Sequence, residues 1–286
     1  MKSFLLGSLI LISTVSYSQS VSVMSYNIRL DTEADGINQW KNRPDKVVAL
    51  IKKYNPDLLG VQEALHNQMM DLQKGLSEYA FIGVGRDDGK DKGEYSAIFY
   101  KKEKFTVLSH NTFWLSETPN VPGSKSWDAA ITRVVTFAML EDKSTGKSFL
   151  YANTHFDHIG KEARKNSASL IKTYLKGYMA GATLEKTLKE IPVLVSGDFN
   201  SEPTNEPYLT MIDGKDIHLF DARPATDLTG TFCGFEFDKI TCRTIDYVFH
   251  SSQWKASDYK VIQDHDGKYY PSDHLPVMAM FELKGK

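Results

Sequence analysis

Apolar and polar positions along this chain fall into short blocks with two different periods. Val21 to Tyr26 alternates apolar with hydroxyl-bearing residues, the mark of a half-buried strand. The period then changes. Val47, Ile51 and Tyr54 recur on one helical face behind Pro44, with Asn42 as the expected N-cap and Asn55-Pro56 as the stop. Leu58 to Val61 reads as a short buried strand, and Leu65, Met69, Leu72 and Leu76 as the inner face of a second helix. Further strands are predicted at Tyr79–Val84, Tyr95–Tyr100, Ile131–Leu140 and Ser148–Thr154, then at Ile191–Ser196, Thr244–His250 and Val277–Glu282. A long helix should run from Lys161 to about Tyr178, with Ala168, Ile171, Leu175 and Tyr178 inward. Arg86 to Gly93 and Ser116 to Ser126 read as polar loops. Strands followed by helices, mixed with consecutive strands, imply two packed sheets with helices on their outer faces.

The first residues stand apart from this pattern. Lys2, an apolar run from Phe4 to Val15 and the small residues around Ser16-Tyr17-Ser18 form a secretory signal over residues 1–18. Cleavage after Ser18 would leave one domain over 19–286 in a secreted or periplasmic protein. An uncleaved anchor is the alternative, but this run is short of the ~20 residues a spanning helix needs. No stable membrane anchor is therefore expected, and a monomer is. The formal charge of −2 becomes −3 once Lys2 is removed, too little for a global field that gathers nucleic acid. A local cationic groove would still leave nucleic acid open as a partner. Cys233 and Cys242 are the only cysteines. Export permits a disulfide, and two buried thiols are the alternative.

The chemistry sits where apolar runs end. Val195-Ser196-Gly197-Asp198-Phe199-Asn200 delivers a carboxylate and an amide after one run, and Ser272-Asp273-His274-Leu275-Pro276 a carboxylate and an imidazole before another. Asn27, Glu63, His155, Asp157, Asp198, Asn200, Asp246, Asp273 and His274 all lie at or beside apolar strand runs. If those ends meet, one rim gathers oxygen ligands for a hard divalent cation and a proton carrier beside a phosphate. Strand geometry would put Asp198 and Asn200 on one face, and an Asx-turn is the alternative. No Ser or Cys occupies a nucleophile elbow, so a covalent intermediate is not indicated.

The stretches "MSYNIRLD", "LLGVQEA", "YANTHFD", "VLVSGDFNSEP", "TIDYVF" and "PSDHLPV", in that order from residue 24 to 277, carry a resemblance. The chain resembles the endonuclease/exonuclease/phosphatase superfamily, which includes deoxyribonuclease I and the inositol-polyphosphate 5-phosphatases. The resemblance implies an α/β fold, a four-layered α/β sandwich of two packed mixed β-sheets flanked by helices. It implies Mg²⁺ (or Mn²⁺) held chiefly by Glu63, with Asn27 and Asp273 at the same site. Asp198, aided by Asn200, would position the attacking water. His274 would contact the phosphate, with Asp246 fixing its tautomer, and His155 would stand on the leaving-group side as an acid. Arg133 matches a phosphate clamp, with a salt-bridged structural role as the alternative. Asp157 could share His155's face, while His158, Arg164, Trp114 and Trp127 flank the pocket. The expected activity is metal-dependent hydrolysis of a phosphomonoester or phosphodiester, with a small or glycan-linked phosphate first. A secreted nuclease, a lipid phosphodiesterase and a non-catalytic binding protein follow.

Overall fold

A computed structural model describes residues 19–181, 191–215, 217–238 and 241–284. The expected leader, residues 1–18, lies outside the described residues. The first half of the chain gives β1 (Ser20–Asn27), α1 (Pro44–Tyr54), β2 (Leu58–Ala64), α2 (His66–Gly75), β3 (Tyr79–Ile82) and β4 (Tyr95–Lys101). The middle gives β5 (Phe105–Trp114), β6 (Val134–Asp142), β7 (Ser148–His155) and α3 (Lys161–Gly181). The rest gives β8 (Val193–Asp198), α4 (Glu206–Ile212), β9 (Leu219–Asp221), β10 (Asp246–Ser251), β11 (Trp254–Val261) and β12 (Val277–Leu283).

These strands make two six-stranded sheets, ordered β11-β12-β1-β2-β4-β3 and β5-β6-β7-β8-β10-β9. The β1–β2 and β7–β8 pairs are parallel and the other pairs antiparallel, so both sheets are mixed. Alternation along β1 explains the layering. Val21 and Val23 point into the seam between the sheets with Leu58, Leu140, Leu194 and Val248. Met24 and Tyr26 point outward, onto Val47, Ile51, Met69 and Leu72 of α1 and α2. On the second sheet, Ala168, Ile171 and Leu175 of α3 and Met211 of α4 cover Val135, Phe137 and Val193. The result is the expected α/β sandwich of four layers. Central strands are covered on both faces, which is why they read as near-continuous apolar runs.

The seam also holds a polar knot. Gln62 Nε2 donates to Asn153 Oδ1 across the sheets at 2.7 Å, and Ser196 Oγ donates to the same oxygen at 3.0 Å. Asn153 Nδ2 returns to Val61 O at 2.9 Å and Ala97 O at 2.8 Å. Gly60 makes the close approach possible, since a Cβ there would lie 2.3 Å from Ser196 Oγ and 2.4 Å from Asn153 Oδ1.

Several expectations change. Asn42 ends a short 3-10 turn and spends its amide on Ile37 O, so Arg43 rather than Asn42 precedes α1. Ile131 to Arg133 lie before β6 rather than in it. Tyr178 belongs to α3, but its side chain lies outside the described residues. The two cysteines are joined as a disulfide rather than left as thiols.

Candidate active site

Strand ends from both sheets converge on Asp198, the last residue of β8. Asn27, ending β1, donates through Nδ2 to Asp198 Oδ2 at 3.0 Å and to Glu63 Oε1 at 2.9 Å. Glu63 reaches that position because β2 bulges between Val61 and Ala64, and Glu63 itself takes a left-handed φ of 64°. Strain of this kind in a non-glycine residue marks functional sites. His274 Nε2 stands 3.7 Å and His155 Nε2 3.3 Å from Asp198 Oδ2. Asp246, first residue of β10 and paired with Asp198 across the ladder, accepts from His274 Nδ1 at 2.9 Å. Thr231 braces Asp246, donating to Oδ2 at 2.6 Å while accepting from the Asp246 amide at 3.1 Å. Six of the nine residues picked out at strand ends therefore cluster, and Asn200 and Asp273 line the same cleft of about 570 Å³, leaving Asp157 apart.

Asn200 is in the left-handed region at φ 44°, and its amide donates to Asp198 Oδ1 at 2.9 Å. The Asx-turn holds, not a continued strand. It still aims Asn200 Nδ2 at Phe156 O, at 3.1 Å, and leaves that amide beside His155 Nε2.

Charges in the cluster do not balance. Burial raises Asp198 to about 7, with Asp246 and Glu63 adding to the effect against His274. Burial likewise raises Asp273, against the pull of His274 and Arg29. Burial opposes the His274 imidazolium, yet the Asp246, Asp198 and Asp273 carboxylates outweigh it and lift the ring to about 10. Burial also opposes Glu63, but His274, Asn27 and Arg29 together hold its carboxyl below the ordinary value. Arg29 is a weak counter-ion, 3.7 Å from Glu63 and 3.9 Å from Asp273, because Asp35 takes its guanidinium with two bonds of 2.9 Å.

That surplus of buried carboxylate oxygen fits a hard divalent cation. Ligand atoms of Glu63, His155 and Asp198 lie within 4.8 Å of one another, as do those of Asp198, Asp246 and His274. Asp273 lines the same cleft but falls outside both groups. Asn27 does not present the oxygen expected of a ligand. Its Oδ1 accepts from Arg29 N at 3.0 Å and its nitrogen faces the carboxylates.

His155 also departs from expectation. Burial first, then Arg133 and Arg86, push its pKa well below the usual histidine value. Arg133 Nη1 lies 2.8 Å from His155 Nδ1, and a guanidinium can only donate. The ring is thus neutral with its proton on Nε2, facing Asp198, and carries no spare proton to act as an acid. Arg133 is buried and ion-paired to Glu94 at 3.6 Å, as its structural reading expected, and it also lines the cleft. Asp157 is spent on four backbone amides, Ala130, Ile131, Ile159 and Gly160. Trp114 donates to Arg86 O at 2.6 Å, whereas His158 and Arg164 do line the cleft.

Glu94, Phe232 and Arg243 also line the cleft and were not singled out from sequence. Glu94 carried one usable signal, a charge immediately before the apolar run of β4.

The endonuclease/exonuclease/phosphatase family model matches residues 24–274. The chain belongs to that family. Its enzymes hydrolyse phosphoesters or nucleic acids. A solved endonuclease/exonuclease/phosphatase from Bacteroides vulgatus is 40% identical, covering 93% of this chain and 100% of that one with a TM-score of 0.83. A mannosyl-6-phosphatase from Bacteroides thetaiotaomicron is 36% identical over 91% of this chain and 99% of its own, also with a TM-score of 0.83. Among curated relatives, nocturnin of Drosophila melanogaster is 25% identical over 85% of this chain. The chain spans 42% of that relative's length and 52% of the Ccr4 exoribonuclease subunit of Emericella nidulans. Among the described residues no helix is long and apolar enough to cross a membrane.

Proposed function

We propose that this protein is an exported, divalent-metal-dependent phosphatase acting on a sugar or glycan-linked phosphomonoester. One observation carries the reading: a buried Asp198, lifted to about 7, sits between an Asp246-backed imidazolium and a neutral His155 inside a single cleft. A base poised near neutrality beside a fixed positive charge suits water attack on phosphorus.

Glu63 and Asp273 would hold Mg²⁺ or Mn²⁺, with Asp198 at the edge of the site. When bound, the ion supplies positive charge against the phosphoryl oxygens. Asp198 takes the proton of the attacking water, which the Asn200 amide helps to orient. As the new P–O bond forms, the bond to the sugar oxygen breaks and that oxygen leaves with a proton from solvent. His274 and Arg133 stabilise charge growing on the phosphoryl group. His155 keeps its proton and donates a hydrogen bond through Nε2. Asn27 holds Glu63 and Asp198 in register through its two N–H bonds.

The likeness to the mannosyl-6-phosphatase favours a hexose 6-phosphate among substrates. Export is supported by the apolar leader and by the Cys233–Cys242 disulfide, which suits an oxidising compartment. N-terminal mass analysis of secreted material should find Gln19 first, and an intact Met1 would refute export. Activity is tested by phosphate release from mannose 6-phosphate, inositol phosphates, nucleotides and phospholipids, with supercoiled plasmid cleavage alongside. Release from the sugar phosphate supports the reading, and plasmid cleavage without it transfers the site to nucleic acid.

A further inference from the structure

One wall of the cleft is built by a loop that the mechanism leaves unused. Phe232 and Arg243 face each other in a short antiparallel bridge, with Phe232 N donating to Arg243 O at 2.9 Å and Arg243 N to Phe232 O at 3.0 Å. The Cys233–Cys242 disulfide joins the next residues along and closes the loop. The loop is pinned to the catalytic segment: Cys233 N and Gly234 N donate to Asp273 O at 3.1 and 2.9 Å, and Leu275 N donates to Thr231 O at 2.6 Å. On this clasp the Arg243 guanidinium lies over the Phe232 ring, 5.3 Å from its centroid, and that ring is 4.9 Å from the His274 imidazole.

Arg243 is exposed, lines the cleft, and makes no side-chain hydrogen bond or ion pair among the described residues. A flat guanidinium propped on a ring is pre-oriented, so little ordering is lost when its N–H groups find acceptors. Phe232, already in contact with Arg243 and His274, is a support for that cation. Glu202 and Asn205 line the same cleft. A carboxylate and an amide sharing one cleft with an open guanidinium suit hydroxyl groups, which both donate and accept. The carboxylate also disfavours a polyanionic strand.

We propose that Arg243, propped on Phe232 and held by the disulfide clasp, is the specificity-determining residue that binds the hydroxyls of the organic group carrying the phosphate. This rests on the reading of the cleft as a sugar-phosphatase site. It assigns Phe232 and Arg243 to recognition, and leaves Asp198 and His274 to the phosphate.

The test is calorimetric binding of two non-hydrolysable probes to the Mg²⁺-loaded protein, the phosphonate isostere of mannose 6-phosphate and plain methylphosphonate. The wild type should bind the sugar phosphonate about tenfold or more tighter, the worth of one or two well-placed hydrogen bonds. Arg243→Ala, an exposed change that leaves the fold intact by circular dichroism, should close that gap. Equal affinity of the two probes in the wild type overturns the proposal. So does an unchanged gap in Arg243→Ala, or a loss of the same factor for both probes. A gap that closes in the variant, from a wild type that releases no phosphate from mannose 6-phosphate, keeps the recognition role and sinks the phosphatase reading.

Discussion

Two polar layers lie a few residues apart along the same strands, and they are built on opposite terms. The deeper one, in the seam, joins Gln62, Asn153, Ser196 and Tyr151 through neutral groups, with Tyr151 OH and Ser196 Oγ 2.7 Å apart. Almost every atom there has a partner, Gln62 Oε1 being the exception. The rim layer packs Glu63, Asp198, Asp246 and Asp273 around one imidazolium, with Arg29 too engaged elsewhere to neutralise them. Neutral, satisfied networks specify how two sheets meet. Unbalanced buried negative charge costs folding energy and would be relieved by the divalent cation of the proposed function. Stability and function are thus separated along the length of β2, β7 and β8.

The largest effect should come from breaking the rim. Asp198→Ala or His274→Ala should lower turnover by about 10²–10⁴-fold, as for loss of a proton acceptor or a charge stabiliser. Circular dichroism should stay unchanged, and substantial residual activity in both variants would contradict the assignment. Breaking the seam should act on folding instead. Gly60→Ala sets a Cβ against Ser196 Oγ and Asn153 Oδ1, so denaturant melts should show a loss of about 1–3 kcal/mol. A variant as stable as the wild type would mean that the seam tolerates what its packing forbids.

The smallest and most diagnostic effect is a gain. Asp198 has a folded value of about 7 against an ordinary 3.8, so the folded state binds more protons across that window. Its contribution to stability therefore falls as pH rises from about 4 to 7 and remains unfavourable above. His274 runs the other way. Its folded value near 10 lies above the ordinary 6.5, so its stabilisation is full below 6.5 and is lost as pH rises through 10. Asp198→Asn should consequently raise the metal-free melting temperature, by roughly 2–4 °C for each kcal/mol relieved. The gain should be larger at pH 8 than at pH 5, and a lower melting temperature at pH 8 would show that the rim carries no such strain.

The contrast also explains what the sequence revealed. The central strands β1, β2, β7, β8 and β10 are buried along their length and announce themselves as apolar runs. The edge strands β5 and β11 expose most of their middle residues, and Ser109-His110-Asn111 or Lys255-Ala256-Ser257 there looks like loop. β9, of three residues, and α4, of seven, are too short for a period to show. The rim was legible for the same reason as the central strands, since Glu63, Asp198 and Asp246 each sit at the end or start of an apolar run. Phe232 reaches the cleft on a loop closed by a disulfide, with no apolar strand to mark it, and Arg243, although it directly precedes the predicted strand Thr244–His250, was not singled out. Local periodicity also missed the φ reversals at Glu63 and Asn200, which turn side chains out of strict alternation. The neutral state of His155 depends on a contact with Arg133, 22 residues away in sequence.

Phosphate release from mannose 6-phosphate in Mg²⁺, followed through addition and removal of a chelator in wild type and Asp198→Ala, tests the central claim most directly. The account predicts release by the wild type that stops with chelation and returns with the metal, and almost none from the variant. Release that ignores the chelator, or that survives loss of the Asp198 carboxylate, would contradict it.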